Sequence, residues 1–372
     1  MTQLKKDMKN HLGGKWWFHN NENSLIETFL TIIIDFCDHL PPLFKKNIIT
    51  FIDGIGLLLF RIYNIIFPIN LPYYLIHGNQ KDTNKNICFL VKGYPESFSP
   101  FTDTICDTIN HTERINNQIG KKICSEHNNV SEINFDAFIV KSDRFYQDYY
   151  QKKGCIIIPE YISFHLDTSE DLNKIMMNTS DEIKEDIDKA KKTGYTYELR
   201  NDSQMFELFY YQMYLPYTKW KHQQSKKIAS YATIRHLAAQ GAQLLIIKHK
   251  KNNIFGGMFI KQGAELKTHY AGLMTGKFNH LHNGIMALSY YFLIEIAKKN
   301  HCDSIDFGTA SPFLHDGLYK YKNKWNMKKK TSSPFFSDIY AVKILKKDSL
   351  FTEFISTHPI QYLKGKNLDI LS

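Results

Sequence analysis

The stretch Glu265–Met327 constrains this chain most, because it reads as strand, loop, helix, strand and then a lysine-rich turn. Leu266–Leu273 is a β-type run that includes Gly272, and a loop over 274–283, rich in Gly, Asn and His, leads into 284–300. There Ile285, Leu288, Phe292 and Ile296 recur at steps of three and four, which predicts a helix laying an apolar stripe on a sheet. Ser304–Gly308 is a short strand closed by glycine, followed by Ser311-Pro312, His315-Asp316-Gly317 and the aromatic-lysine run 319–326. A β-α-β crossover with polar and cationic groups past its second strand is where an α/β domain places a ligand.

The 372 residues suffice for two domains, and 43% apolar with 14% aromatic residues can bury full cores, which excludes general disorder. A net charge of +10 implies an anionic partner, namely nucleic acid, a phosphorylated small molecule or an acidic membrane surface. The six cysteines, Cys37, Cys88, Cys106, Cys124, Cys155 and Cys302, include no Cys-x-x-Cys pair. Reduced, mostly buried thiols of a cytoplasmic protein are expected rather than a disulfide frame or a zinc site.

Residues 1–20 are polar and basic, without the apolar core of a signal peptide. Two apolar segments follow, Leu25–Leu40 and Ile48–Phe67. On a helical wheel of the second, extended back to Lys46, the residues Lys46, Thr50, Asp53, Gly54, Arg61 and Asn64 fall on an arc of about 100°. Asp53 and Arg61 near mid-span would cost about 2.5 to 3.5 kcal/mol each in a bilayer, so a spanning helix is disfavoured. The expectation is a helical extension over 1–80. It either packs on the first domain or docks residues 24–67 on the inner face of a membrane.

Further along, 77–86 reads as a linker, Ile87–Lys92 as a strand and Ser99–Ile109 as a helix, while 115–130 gives no clear pattern. Phe135–Val140 alternates like a strand, Asp143–Lys153 reads as helical, and Cys155–Ile158 and Tyr161–Leu166 as strands around Pro159. At the next helix, Thr179 with Glu182 forms a capping-box pattern, and Lys189, Lys191 and Lys192 complement its C-terminal dipole before Gly194. Tyr195–Leu199, Ala242–His249 and Ile254–Lys261 are strand candidates, and Ser203–Tyr217 and Lys226–Gln240 helix candidates. Gly256-Gly257 permits a bulge or the approach of a ligand to backbone.

Tyr270-Ala271-Gly272, the helix after it, Asp306-Phe307-Gly308 and the run Asp316–Lys322, together with Ser180–Tyr195 upstream, resemble the Fem-type peptidoglycan aminoacyltransferases and their GNAT-like relatives. The resemblance covers roughly 85–345. It implies an α/β protein of two GNAT-like domains with mixed central sheets, the first over 85–178 and the second over 179–345, with a C-terminal tail over 346–372. The reaction it implies moves an acyl or aminoacyl group from a donor to an amine acceptor. A noncatalytic basic GNAT-fold protein holding RNA or a membrane surface is a competing reading, as is an acyltransferase of lipid or polysaccharide synthesis.

Acyl transfer needs donors for a tetrahedral oxyanion, a proton acceptor for the amine and an acid for the leaving group. Lys322 matches the lysine that follows an aromatic in the family and would act as a fixed cation for the oxyanion. Asp316 is a base or a helix cap. Tyr270, Tyr319 and His269 are proton donors or line the site. Lys277, His315, Lys320, Tyr321 and Lys324 are candidates for holding substrate. His280, His282 and His315 lack the acids and cysteines that would accompany a metal, so none is expected. Coenzyme A users of this kind carry a Gln/Arg-x-x-Gly-x-Gly/Ala loop before the long helix. The stretch 276–284 has glycines and one cation without that spacing. The donor is therefore either aminoacyl-tRNA, which would make tRNA a partner, or an acyl-coenzyme A, with the balance toward the former.

Overall fold

The computed structural model describes residues 71–93, 95–116, 135–222, 228–331, 338–344, 349–365 and 367–371. The apolar segments within 24–67, the stretch 117–134, Cys37 and Cys124 lie outside them. No described helix is long and apolar enough to cross a membrane. The described strands are β1 Tyr73–Gln80, β2 Asn86–Lys92, β3 Cys106–Ile115, β4 Ala137–Asp143, β5 Ile156–Pro159, β6 Ile162–Asp167, β7 Tyr195–Arg200, β8 Gln243–His249, β9 Asn252–Gln262, β10 Glu265–Leu273, β11 Ser304–Ala310, β12 Lys328–Thr331, β13 Asp338–Ile344, β14 Ile360–Lys364 and β15 Asn367–Leu371. They build an α/β protein with two large mixed sheets, as the sequence leads one to expect.

Two compact units result, one from Leu166–Gly308 and the other from Pro68–His165 joined by Thr309–Ser372. This grouping differs from the sequential domains expected over 85–178 and 179–345, and the reason is β13. The strand enters the sheet of the two-segment unit, whose order is β3-β1-β2-β4-β13-β5. Its residues Ile339 to Val342 are all at most 1% exposed, the pattern of a strand covered on both faces. Tyr340 packs its ring 5.1 Å from Phe101 and 6.1 Å from Phe98.

Three local expectations fail in this unit. The segment 73–80, assigned to the helical extension and a linker, is the strand β1, paired with β2 on one side and β3 on the other. The helix from Ser99 ends at Ile105, because Thr108, Ile109, Thr112 and Ile115 are β-branched and the segment gains a ladder along β1. The supposed tail is core: Phe351, Phe354, Ile360 and Leu363 are 0–1% exposed, on the helix Leu350–Thr357 and the β14-β15 hairpin.

The 166–308 unit follows the expected order closely. β7, β8, β9 and β10 form an antiparallel meander, and the helix Ile285–Lys299 then returns the chain to β11, parallel to β10. The helix Asp181–Thr193 precedes them and ends at Gly194 in the left-handed conformation. Its capping box does not form. Ser180 occupies the cap position, and the Thr179 hydroxyl donates to the Ile175 carbonyl instead. Cys88, Cys106, Cys155 and Cys302 are free thiols, as expected.

Candidate active site

Strands β10 and β11 share a parallel register at Glu265↔Ser304, Leu266↔Ile305 and Lys267↔Asp306. Among the described residues no register between them continues further, although β10 runs to Leu273. The Thr268 hydroxyl donates to the Asp306 carbonyl at 3.2 Å and closes the paired part. On the other side of β10, Thr268 faces Phe259 and Ala271 faces Gly257, so three steps on β10 match two on β9. One extra residue is thus inserted at His269-Tyr270, a β-bulge that turns these side chains from the regular alternation. A strand that parts from its neighbour and bulges at the same place presents backbone groups and side chains to a ligand.

The glycines here serve packing. Phe209–Tyr214 is a turn of π-helix lying on the sheet. A Cβ on Gly256 would lie 2.6 Å from the Phe209 ring, and one on Gly272 would lie 2.6 Å from the Met213 carbonyl. Gly256 thus admits this helix rather than a ligand, and the π-turn brings Tyr214 to 5.2 Å from the Tyr270 ring. π-turns inside helices often mark functional positions.

His269 and Tyr270 have the environment of reacting groups. The Nε2 atom of His269 is buried and has no hydrogen-bond partner. Burial, with help from the Lys267 ammonium and against the Asp306 carboxylate, lowers its pKa to about 4, so the imidazole is neutral at physiological pH. Burial beside Tyr214 pushes the Tyr270 phenol up to about 12, which keeps its proton in place. Asp306, 8% exposed, accepts the Gly308 amide at 2.8 Å and lies 3.9 Å from Lys267 Nζ. It shapes the end of β11. Phe307 stacks on Tyr290 at 4.3 Å and belongs to the core.

The loop before the helix Ile285–Lys299 is closed. Gly284 adopts φ +72°, and a Cβ on it would sit 2.0 Å from the Asp186 carbonyl oxygen, so the backbone of Asp181–Thr193 covers this helix N-terminus. Ile285 is fully buried. Lys189 donates to the His282 carbonyl, and Tyr195 hydrogen-bonds His280 in the same corner. Lys277 is exposed at the loop's start.

The remaining candidates lie on one helix, Gly317–Lys324, of the two-segment unit. Asp316 is its cap, accepting the Tyr319 amide at 2.9 Å. Tyr319 is 4% exposed, its hydroxyl accepts from Gln361 Nε2 at 3.1 Å, and its ring meets Phe164 edge-on; these are the contacts of a core tyrosine. His315 lies 5.2 Å from His358, ring to ring. Lys320 and Lys324 are exposed, and Tyr321 is half-buried. Lys322 is not on the surface: it is 2% exposed, donates to the Thr309 carbonyl at 3.0 Å and lies 5.5 Å from the Phe164 ring centre. Lys322→Ala is accordingly expected to lose about 2 to 4 kcal/mol of stability, through a cavity and a stranded carbonyl. Equilibrium denaturation measures this. A loss below about 0.5 kcal/mol, typical of surface changes, would contradict the buried contact.

Sequence reading singled out His269 and Tyr270 but missed Thr268 and Tyr214. The available signal was the failure of apolar alternation after Leu266, which marks the bulge.

No family model matches the chain, and no curated protein matches it. Among solved structures it is similar to the crystal structure of FemX, with 12% identity and a TM-score of 0.39, covering 76% of this chain and 85% of that one. It is also similar to L-PGS from Bacillus licheniformis, with 12% identity, a TM-score of 0.37 and coverage of 76% and 87%. A tandem GNAT protein from the clavulanic acid biosynthesis pathway shows 7% identity, a TM-score of 0.31 and coverage of 57% and 65%.

Proposed function

We propose that this chain is a GNAT-like acyltransferase that moves an acyl or aminoacyl group onto an amine. The observation that supports this reading is the parting of β10 from β11 at a bulge that holds the neutral imidazole of His269, its buried Nε2 without a hydrogen-bond partner, beside the protonated phenol of Tyr270. The donor lies along the edge of β10 beyond its register with β11, where backbone groups can hold its carbonyl. The amine nitrogen attacks that carbonyl carbon, and its N–H hydrogen-bonds to His269 Nε2. With a pKa of about 4 the imidazole orients the amine rather than storing its proton. As the bond from carbonyl carbon to leaving group breaks, Tyr270 donates to the leaving atom, and the proton lost by the amine restores the phenol through solvent.

Closure of the helix N-terminus at Gly284 removes the usual cradle for a pyrophosphate, which favours aminoacyl-tRNA over acyl-coenzyme A as donor. Binding of such a polyanion weakens steeply with salt. The test supplies acetyl-coenzyme A and aminoacyl-tRNA with an amine acceptor at two salt concentrations. Transfer from the charged tRNA is expected, about 100-fold slower in His269→Ala, and with no inflection from this imidazole between pH 5 and 8. Salt-tolerant transfer from acetyl-coenzyme A would reverse the choice of donor. A His269→Ala rate within twofold of the parent would remove His269 from the site.

A further inference from the structure

Between Glu207 and Glu295 the sequence holds one acid, Glu265, against eleven lysine and arginine residues, as large an excess as the net charge of the whole chain. All of it lies in the 166–308 unit. Within this stretch the helix Leu215–His222 continues from the π-turn. It places Tyr217 and Trp220 three and six residues after Tyr214, a distance of about 9 Å along the axis from Tyr214 to Trp220. Phe278 meets them from the loop opposite, 5.8 Å from Tyr217 and 4.7 Å from Trp220. That loop is pinned, because the Thr275 amide and hydroxyl both donate to the Gln212 carbonyl at 2.9 Å. Tyr217 is buried, whereas Trp220 is 54% exposed. The indole thus rests against two aromatic rings and keeps about half of its residue surface exposed. Lys219 and Lys221 flank it on the helix and Lys277 precedes Phe278 in the loop, all three exposed, with Lys221 Nζ 5.6 Å from the Tyr217 ring centre.

We propose that this platform is a binding subsite for a nucleoside phosphate, with the base stacked on Trp220 and the phosphate met by Lys219, Lys221 and Lys277. The chemistry of the two parts selects the ligand class. A partly exposed indole accepts any base face, and the excess of lysine and arginine over acids in this stretch of sequence favours an anion attached to it. A simple phosphate would not use the ring. A bilayer would call for protruding aliphatic groups, whereas the residues on either side of Trp220 in the helix are exposed lysines. The inference deepens the proposed function, because the helix that carries Trp220 continues from the π-turn whose Tyr214 packs on Tyr270, so that the platform would hold the remote, nucleotide part of the donor while its acyl end lies at His269. The nucleotide could belong to an RNA 3′ end, to coenzyme A or to a free nucleotide.

The experiment is tryptophan fluorescence of the full chain, which has four tryptophans, so that comparison with Trp220→Phe assigns the signal. The probes are AMP, coenzyme A, a single-stranded RNA ending in CCA, ribose 5-phosphate and phosphatidylglycerol vesicles. Base-bearing probes are expected to quench Trp220, and ribose 5-phosphate to bind at least tenfold more weakly than AMP. Trp220→Ala should weaken the best probe at least tenfold with an unchanged thermal midpoint. Should that variant not fold, Lys219→Gln with Lys221→Gln carries the test, with a similar loss and a shallower salt dependence. The ranking of AMP, coenzyme A and RNA identifies the source of the nucleotide. No quenching by any base-bearing probe at millimolar concentration, equal affinity for ribose 5-phosphate and AMP, or binding of vesicles alone would each overturn the subsite. Quenching without acyl transfer would reject the catalytic reading and leave the subsite standing.

Discussion

A chain that stops before Ser349 is expected to leave the two-segment unit unfolded. The removed residues include Phe351, Phe354, Ile355, Ile360 and Leu363, each at most 4% exposed. At about 2 kcal/mol for each buried side chain, the loss is roughly 10 kcal/mol, comparable with the whole stability of a domain. The loss is not confined to area. Phe351 meets Phe89 and Phe101, both 6.1 Å away, so two elements of the first segment would lose a wall of their core. Asp136 would lose the Leu350 amide that it accepts at 3.1 Å, and the Tyr319 hydroxyl would lose Gln361. Near-ultraviolet circular dichroism and limited proteolysis of the truncated chain report the outcome. A cooperative transition with the parent's aromatic signal would show that the segment is an appendage after all. Phe351→Ala is the milder form, at about 3 to 5 kcal/mol.

Gly284→Ala is expected to cost more than about 3 kcal/mol and to separate the helix Ile285–Lys299 from Asp181–Thr193. Two causes add. A left-handed conformation costs an alanine about 1 to 2 kcal/mol, and a Cβ 2.0 Å from the Asp186 oxygen can be relieved only by moving a backbone. Gly276 supplies the control, since it has φ +75° in the same loop and nothing within 4 Å of an added Cβ. Gly276→Ala should therefore cost only the conformational part. Denaturant midpoints of the two variants measured together separate strain from collision. Equal midpoints would mean that the helix N-terminus is not covered, and the argument against a pyrophosphate there would fall with it.

Periodicity made the 166–308 unit legible, because β10, the helix Ile285–Lys299 and β11 are each long enough to repeat their pattern. Gly256 and Gly272 were visible as special positions, but whether a glycine admits a ligand or a helix depends on what packs there, and Phe209 and Met213 are distant in sequence. The two-segment unit was far less legible. β13 gives no local sign of its partners β4 and β5, and Leu350–Leu371 looks like a tail because its apolar residues find their core only in Phe89, Phe101 and Phe313. Lys322 shows the same limit in a single side chain. Surrounded by exposed lysines in the sequence, it is distinguished by the Thr309 carbonyl and the Phe164 ring, which the fold brings to it.

The position of β13 also sets an order of events at the ribosome. β4 and β5 are made early, yet the strand that lies between them is made roughly two hundred residues later, after the entire 166–308 unit has emerged. The unit whose synthesis begins second can thus finish first, while two unpaired strand edges wait for their partner. During that interval the nascent chain carries open templates for intermolecular pairing. A ribosome stalled before Asp338 would hold one completed unit and one sheet with a gap, so translation speed across 309–338 bears on the yield of native protein.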